Sequence, residues 1–460
     1  MKKSVCAIFD IGKTNKKAFL FDESYQLVWE KSATLPETTD EDGDPCEDIH
    51  LLTKWVLQTW EDILQLTDFE AKAVNFSTYG ASFVYLDAEG QPLTPLYNYL
   101  KAYPEDLHRQ FYDTYGGEET LAVKLASPVL GSLNSGMQLY RLKYEQPEVF
   151  EQVAYCLHLP QYLRFLLTQQ ACTDITSVGC HTNLWDFTAR NYHPWITYEK
   201  IDSKIPTLAY CESVAVIQQG DTMLKVGTGL HDSSSALIPY LINFHEPFVL
   251  LSTGTWCISL NPFNDSPLTF EELQYDCLCY LTYQEKPVKA SRLFAGYEHE
   301  IQTKRLAEHF GVEVGHYKEV SFDAHCIQEL RKRAEPIGAD DKFTLLKNSP
   351  FALRDLSSFS SYAEAYHQLM LDIMRQQLIS TELVLHHSPV KRIFVDGGFS
   401  KNPIFMNLLA EAFPQIEVYA ASMAQASALG AALAIHAHWN PKPLPNTLID
   451  LKFYASPSFS

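Results

Sequence analysis

The stretch Ala7-Ile-Phe-Asp-Ile-Gly-Lys-Thr-Asn-Lys-Lys-Ala-Phe19 is an apolar run, a short polar turn and the start of a second apolar run. Its Gly12-Lys13-Thr14 matches the end of a P-loop. That loop needs another glycine five residues before Gly12, so that backbone amides wrap the phosphates. Ala7 occupies that position, inside the run Val5 to Phe9. The segment therefore reads as a β-hairpin, with strands Val5–Phe9 and Ala18–Phe21 around small polar residues. The pattern restarts after Asn243, with a strand Phe248–Leu251, a Thr253-Gly254-Thr255 turn and a strand Trp256–Leu260. Two α/β halves that each open on such a hairpin predict a duplicated architecture: one domain over 1–243, a second over 244–440, and a tail over 441–460.

The pattern between these landmarks agrees. Helical periodicity covers Leu51–Leu66, followed by strands Ala73–Phe76 and Phe83–Asp87. Glu145–Thr168 reads as a helical region broken by Pro147 and Pro160. Asp232–Tyr240 reads as a helix capped by Asp232. In the second half, a long helix spans Tyr362–His386. A strand Arg392–Val395 ends in Asp396-Gly397-Gly398, and Asn402–Ala412 and Gln425–His436 are helical. From Pro441 the chain is rich in proline.

Composition narrows the function. The 460 residues are 46% apolar and 20% charged, as in globular proteins. A formal net charge of −20 disfavours nucleic acid or an anionic membrane surface as partner. An anionic small ligand held by amides, a metal ion and local cations remains compatible. The ten cysteines are scattered, with Cys277-x-Cys279 the one close pair and no zinc-site spacing. The apolar run after Lys2-Lys3 ends at Asp10, too short for a signal-peptide core. No run approaches the ~20 apolar residues of a membrane span. A cytoplasmic location is expected.

Four segments could carry chemistry, and each also has a purely structural reading as a turn or a cap. In the first hairpin turn, Gly12 allows close backbone approach, while Thr14, Asn15 and Lys17 can serve phosphate oxygens. Asp10, at the strand end, can hold Mg²⁺ through water. Thr253, Gly254 and Thr255 offer a second hydroxyl-and-amide turn. Gly397 and Gly398, followed by Asn402 at a helix start, suit a nucleotide lying against backbone. Asp232 stands at a helix N-terminus, where dipole and amides favour the carboxylate, a form able to take a hydroxyl proton. The combination, in this order across two similar halves, is more telling than any one member.

These residues resemble the FGGY carbohydrate kinases, of the actin, hexokinase and heat-shock ATPase superfamily. The most specific stretches are Asp396-Gly-Gly-Phe-Ser-Lys-Asn-Pro403 and Ala426-Ser-Ala-Leu-Gly-Ala-Ala-Leu433. Leu159-Pro-Gln-Tyr162, Thr173-Asp-Ile-Thr-Ser177 and Leu184-Trp-Asp-Phe187 are similar to the family's sugar-domain core. Within the family the rhamnulokinases are nearest, through Ser77–Asp87, Gly229-Leu-His-Asp-Ser-Ser-Ser-Ala236 and Ser252-Thr-Gly-Thr-Trp256.

The resemblance implies an α/β fold of two duplicated actin-like (ribonuclease H-like) domains with a nucleotide and sugar cleft between them. It implies ATP and Mg²⁺ as cofactors, Asp232 as general base, and Asp10 with Asp232 at the metal. Thr253 and Thr255 would face the γ-phosphate, with Gly254 between them, and Gly397, Gly398 and Asn402 the adenine nucleotide. Thr78, Tyr79, Gly80, Ser82 and His231 would line the sugar. The substrate would be a ketose such as L-rhamnulose or L-fuculose; a xylulokinase-like pentulose kinase and a non-catalytic sugar-binding regulator are the alternatives, and a homodimer is compatible. A chaperone-type ATPase is disfavoured, because the segment after His436 is short for a client-binding domain. Three departures stand out: Lys13 where the family usually has Thr, Ser82 where rhamnulokinases carry Asp, and Tyr97-Asn-Tyr-Leu100 in place of their Tyr-Arg-Asp.

Overall fold

The computed structural model describes residues 2–80, 82–333, 342–423 and 425–455. The chain forms two compact units. The first comprises Met1–Asn243, Cys279–Pro287 and Ala424–Leu448; the second Phe244–Leu278, Val288–Met423 and Ile449–Ser460.

In the first unit, β1 (Lys3–Ile11), β2 (Lys16–Asp22) and β3 (Leu27–Ala33) form an antiparallel meander. Helix α1 (Ile49–Gln65) starts at Asp48, whose carboxylate accepts the His50 and Leu51 amides. Strand β4 (Phe69–Thr78) runs parallel to β1. The hairpin β5 (Val214–Gln219) and β6 (Thr222–Gly227) extends the sheet beyond β4, giving the order β5-β6-β4-β1-β2-β3. A two-residue strand β7 (Leu230–His231) also pairs with β4 and leads into α2 (Asp232–Asn243). Val5 to Phe9 are all 0% exposed, which is why this strand reads as a continuous apolar run rather than an alternating one.

The second unit repeats the plan. Strands β8 (Phe248–Thr253), β9 (Cys257–Asn261) and β10 (Pro287–Leu293) form the antiparallel meander, followed by α3 (Ala295–Phe310) and the long α4 (Tyr362–Leu385). Strand β11 (Arg392–Gly397) is parallel to β8 and leads to α5 (Pro403–Ala412). Strand β12 (Glu417–Ser422) is parallel to β11, and β13 (Asp450–Tyr454) closes the edge antiparallel to β12. The order and direction of these six strands match the first unit (meander, two parallel additions, one antiparallel edge), and a further strand, Cys277–Leu281, pairs with β10 at the other edge.

Several details differ from the sequence reading. The region Glu145–Thr168 contains a strand, Tyr155–His158, paired with Phe83–Leu86. Pro147 and Pro160 stand in the first turns of helices Pro147–Gln152 and Leu159–Thr168, where their fixed φ and missing N–H cost nothing. The proline-rich tail carries β13. The helix α6 (Ala426–Ala434) packs with the first unit, on α2, although it follows β12 in the chain. Among the described residues, no helix is long and apolar enough to cross a membrane.

Candidate active site

In the first unit the carboxyl ends of three strands converge. Asp10 on β1 lies opposite Lys17 on β2 and Ser77 on β4, and His231 on β7 lies opposite Thr78. Ligands of open α/β sheets collect at such ends, because loops and helix starts there expose unpaired groups. The turn itself is tight: the Gly12 amide donates to the Asn15 carbonyl at 2.9 Å, and Thr14 and Asn15 stand exposed.

Asp232 is the first residue of α2, and its carboxylate accepts the Ser233 amide at 2.6 Å. Its side chain keeps 36% exposure, enough to meet a ligand. The protein around it still outweighs the helix-end amides expected to favour the anion. Burial pushes its pKa up to about 6. Asp10 is also pushed up to about 6, by burial and by the charge of Asp232, against the hydroxyl of Ser427 and the ammonium of Lys17. Two carboxylates that repel each other and lack a full counter-charge are a donor set suited to Mg²⁺, which takes one or two carboxylates and keeps its waters. The acidic trio Asp40, Asp42 and Asp44 is different: Lys101 Nζ fills it, 2.5, 2.7 and 3.5 Å from the three carboxylates.

These shifts set an expected pH dependence. A base must be ionised to accept a proton, so kcat/KM should fall as pH drops below about 6, and the slope should steepen toward two as both acids protonate. An initial-rate profile from pH 5 to 8 checks this; a flat profile down to pH 5 contradicts it.

The expected sugar-side residues form a wall. His231 is 4% exposed, and burial pushes its pKa down to about 3, so the imidazole is neutral. Its Nε2 lies 3.2 Å from Asp232 Oδ1 and 3.1 Å from Cys180 Sγ. A Cβ at Gly80 would stand 2.8 Å from that sulfur and 2.9 Å from the imidazole, so only glycine fits. Thr78 and Ser82 are buried and their hydroxyls are spent on backbone carbonyls, of Tyr79 and Tyr97 respectively. The Tyr79 hydroxyl donates to Glu47 at 2.9 Å, and Glu47 is held by Lys16 at 2.9 Å. The hydroxyl protons of Thr78, Tyr79 and Ser82 are thus committed within the protein, while their oxygens can still accept. Lys13 is drawn into the same cluster, 3.3 Å from Glu37 and 3.5 Å from Glu47. Tyr99, its ring centroid 5.8 Å from that of Tyr79, has its phenol pushed up by burial and, less, by the charge of Asp232.

The second unit holds a recess of about 600 Å³. Thr253, Gly254, Gly398 and Asn402 line it, together with His299, Lys318 and Lys401. Asn402 Oδ1 caps α5 by accepting the Ile404 and Phe405 amides, and its Nδ2 donates to Tyr366 at 2.7 Å. Thr253, expected to face a phosphate, does not offer its hydroxyl. That group donates to the Asp396 carbonyl at 2.5 Å and accepts the Phe399 amide at 3.0 Å. Thr253 instead stitches β8 to the Gly397-Gly398 turn, whose Gly398 amide donates to the Thr253 carbonyl at 2.8 Å. Gly254 and Thr255 remain exposed. Sequence reasoning missed Gly296, His299, Lys318 and Lys401, which follow no periodic or turn signal. Gly296 alone is marked by packing: a Cβ there would stand 1.8 Å from the Gly254 carbonyl oxygen.

Two α/β units with the same strand order, each with a polar turn after its first strand, define a duplicated actin-like fold. The chain belongs to the FGGY family of carbohydrate kinases: residues 5–235 match the model of the N-terminal domain of that family and residues 245–443 that of the carbohydrate kinase FGGY C-terminal domain. It is 24% identical over 198 residues to a rhamnulokinase of Halalkalibacterium halodurans, covering 41% of each chain. To a rhamnulokinase of Klebsiella pneumoniae it is 25% identical over 278 residues, 56% of this chain and 54% of that one. The matched stretches thus span about half the length of these curated relatives or less. Among solved structures, a carbohydrate kinase from Novosphingobium aromaticivorans superposes with a TM-score of 0.80 at 20% identity, over 99% of this chain and 95% of that one. A ligand-bound xylulose kinase from Lactobacillus acidophilus does so with 0.80 at 17%, over 99% and 94%.

Proposed function

We propose that the protein transfers the γ-phosphoryl group of ATP to a hydroxyl of a ketose, L-rhamnulose or L-fuculose, with Asp232 as general base. The observation that carries this reading is Asp232 itself: a partly exposed carboxylate, pushed up to about 6, beside a second carboxylate and a neutral His231. A base whose pKa lies near the working pH is ionised yet still basic enough to take a proton. As the sugar oxygen bonds to the γ-phosphorus, its proton passes to Asp232 and the bond to the β–γ bridging oxygen breaks, releasing ADP. Asp10 and Asp232 would hold Mg²⁺, which neutralises charge on the phosphates. Gly12, Thr14, Asn15 and Lys17 serve phosphate oxygens from the first turn. Gly254, Thr255, Gly397, Gly398 and Asn402 bind ATP, and Thr253 holds their turn in shape. The relatives named rhamnulokinase support L-rhamnulose, a 6-deoxyhexulose, as the first substrate to test.

The test is ADP release from Mg-ATP with a panel of ketoses and without any. Release that depends on L-rhamnulose or L-fuculose supports the reading, and release with D-xylulose alone shifts it to a pentulose kinase. Release without sugar, or none with any sugar, overturns it in favour of an ATPase or a sugar-binding regulator.

A further inference from the structure

Asp10 is held by a residue 417 positions away in sequence. Ser427, in the first turn of α6, donates its hydroxyl to Asp10 Oδ2 at 2.9 Å. The same residue's carbonyl accepts the Ser235 hydroxyl at 2.7 Å, and Ser235 stands three residues after Asp232, one turn along α2. The two helices touch closely here. A Cβ at Gly430 would stand 1.8 Å from the Ser235 carbonyl oxygen, so α6 lies almost backbone against backbone on α2. A third tie fixes the other side of α6. Asn75 on β4, fully buried, donates to the Ala431 carbonyl at 2.8 Å and accepts the Gly229 amide at 3.0 Å, just before His231 and Asp232. One short helix thus touches the side chain of Asp10 and the helix that begins with Asp232, and through Asn75 it is tied to the turn that leads into that helix.

We propose that Ser427 is a positioning residue for phosphoryl transfer: with Ser235 and Asn75 it forms a polar seam along α6 that holds Asp10 in register with Asp232. A carboxylate turns about its last torsion unless donors fix it; the Ser427 hydroxyl holds Oδ2, and the Ser77 hydroxyl on the paired strand β4 is a second, smaller influence. Hydrogen bonds to charged groups are among the stronger ones, and small misplacements at a reacting centre cost large factors in rate. The van der Waals packing of α6 rests on its buried apolar residues Ala428, Leu429 and Ala432, which a Ser427→Ala substitution leaves in place.

The inference rests on the kinase reading above, and the experiment separates the two. Wild type, Ser427→Ala, Ser427→Thr, Asp10→Asn and the Asp10→Asn/Ser427→Ala double variant are assayed with the sugar that supports wild-type turnover, and their thermal midpoints are recorded. Ser427→Ala should lose about 10-fold in kcat, the scale of one charge-assisted hydrogen bond, with the sugar KM and the midpoint nearly unchanged. Ser427→Thr, which keeps the hydroxyl, should recover most of the rate. In the Asp10→Asn background, Ser427→Ala should add little further loss, because its effect passes through Asp10. A Ser427→Ala enzyme with wild-type kcat, a Ser427→Ala loss that Ser427→Thr does not recover, or a full additional loss in the double variant overturns this inference alone. A wild-type protein that turns over no sugar overturns the proposed function, and this inference with it.

Discussion

Asp232→Asn is expected to lower kcat by about 10²–10⁴-fold, the usual contribution of a general base, while ADP binding is retained. Asn keeps the size of the side chain and can still accept the Ser233 amide, so the start of α2 should hold its shape. What it loses is the ability to take a proton. The same substitution should raise the thermal midpoint at pH 8. A carboxyl whose folded pKa lies above its unfolded value favours the folded state fully only below the unfolded value, and loses that contribution as pH rises through about 6. At pH 8 the folded protein therefore carries an ionised Asp232 at a cost, one relieved in part by the side chain's exposure to solvent, and Asn removes that charge and its repulsion of Asp10. Lower activity with higher stability is the signature of a group kept for function. A variant with wild-type kcat, or one less stable at pH 8 than the wild type, contradicts this assignment.

Gly397→Ala is expected to damage the second unit's turn. Gly397 has φ +89°, and a Cβ there would stand 1.9 Å from the Thr253 carbonyl oxygen, which is backbone and cannot swing away. A left-handed conformation at a non-glycine residue costs about 1–3 kcal/mol. Relieving the overlap adds about 1–3 kcal/mol more, as overpacking does in cores. At about 2–4 °C per kcal/mol for a domain of this size, the midpoint should fall on the order of 10 °C. Because the Gly398 amide and the Thr253 hydroxyl share the turn, ADP affinity should fall with it, by more than about 10-fold if one charge-assisted contact is lost. Thermal melts and an ADP titration read both effects. An unchanged midpoint together with unchanged ADP affinity would show that the turn tolerates a side chain.

Much of the architecture is legible in the sequence because the signals are local. The hairpin at Asp10 to Lys17 and its echo at Phe248 to Leu260 each sit within a window of about fifteen residues, where strand and turn preferences act together. Gly397 and Gly398 follow a buried strand, and the φ of Gly397 shows why the first of them is glycine. The missed features depend on contacts far apart in the chain. Thr253 looks like a phosphate-facing hydroxyl until Asp396 and Phe399, more than 140 residues away, claim both its donor and its acceptor. Ser82 and Thr78 sit in a segment similar to a sugar-contact motif, yet their burial is set by neighbours such as Tyr97. The Ala-rich helix α6 shows its apolar face in sequence but not the unit it joins. That follows from Gly430, which admits the backbone of α2, and from Asn75 on β4. Strand β13 escapes notice because its few residues follow a proline-rich stretch, and pairing with β12 gives it order.

The central claim, phosphoryl transfer from ATP to a ketose hydroxyl assisted by Asp232, is tested most directly by phosphorus NMR of the wild-type protein with Mg-ATP and L-rhamnulose or L-fuculose. The expected result is a phosphate-monoester resonance that couples to sugar protons and grows in step with ADP, and is absent when Asp232→Asn replaces the wild type. ADP appearing with inorganic phosphate alone, or an ester formed equally by both proteins, would contradict it.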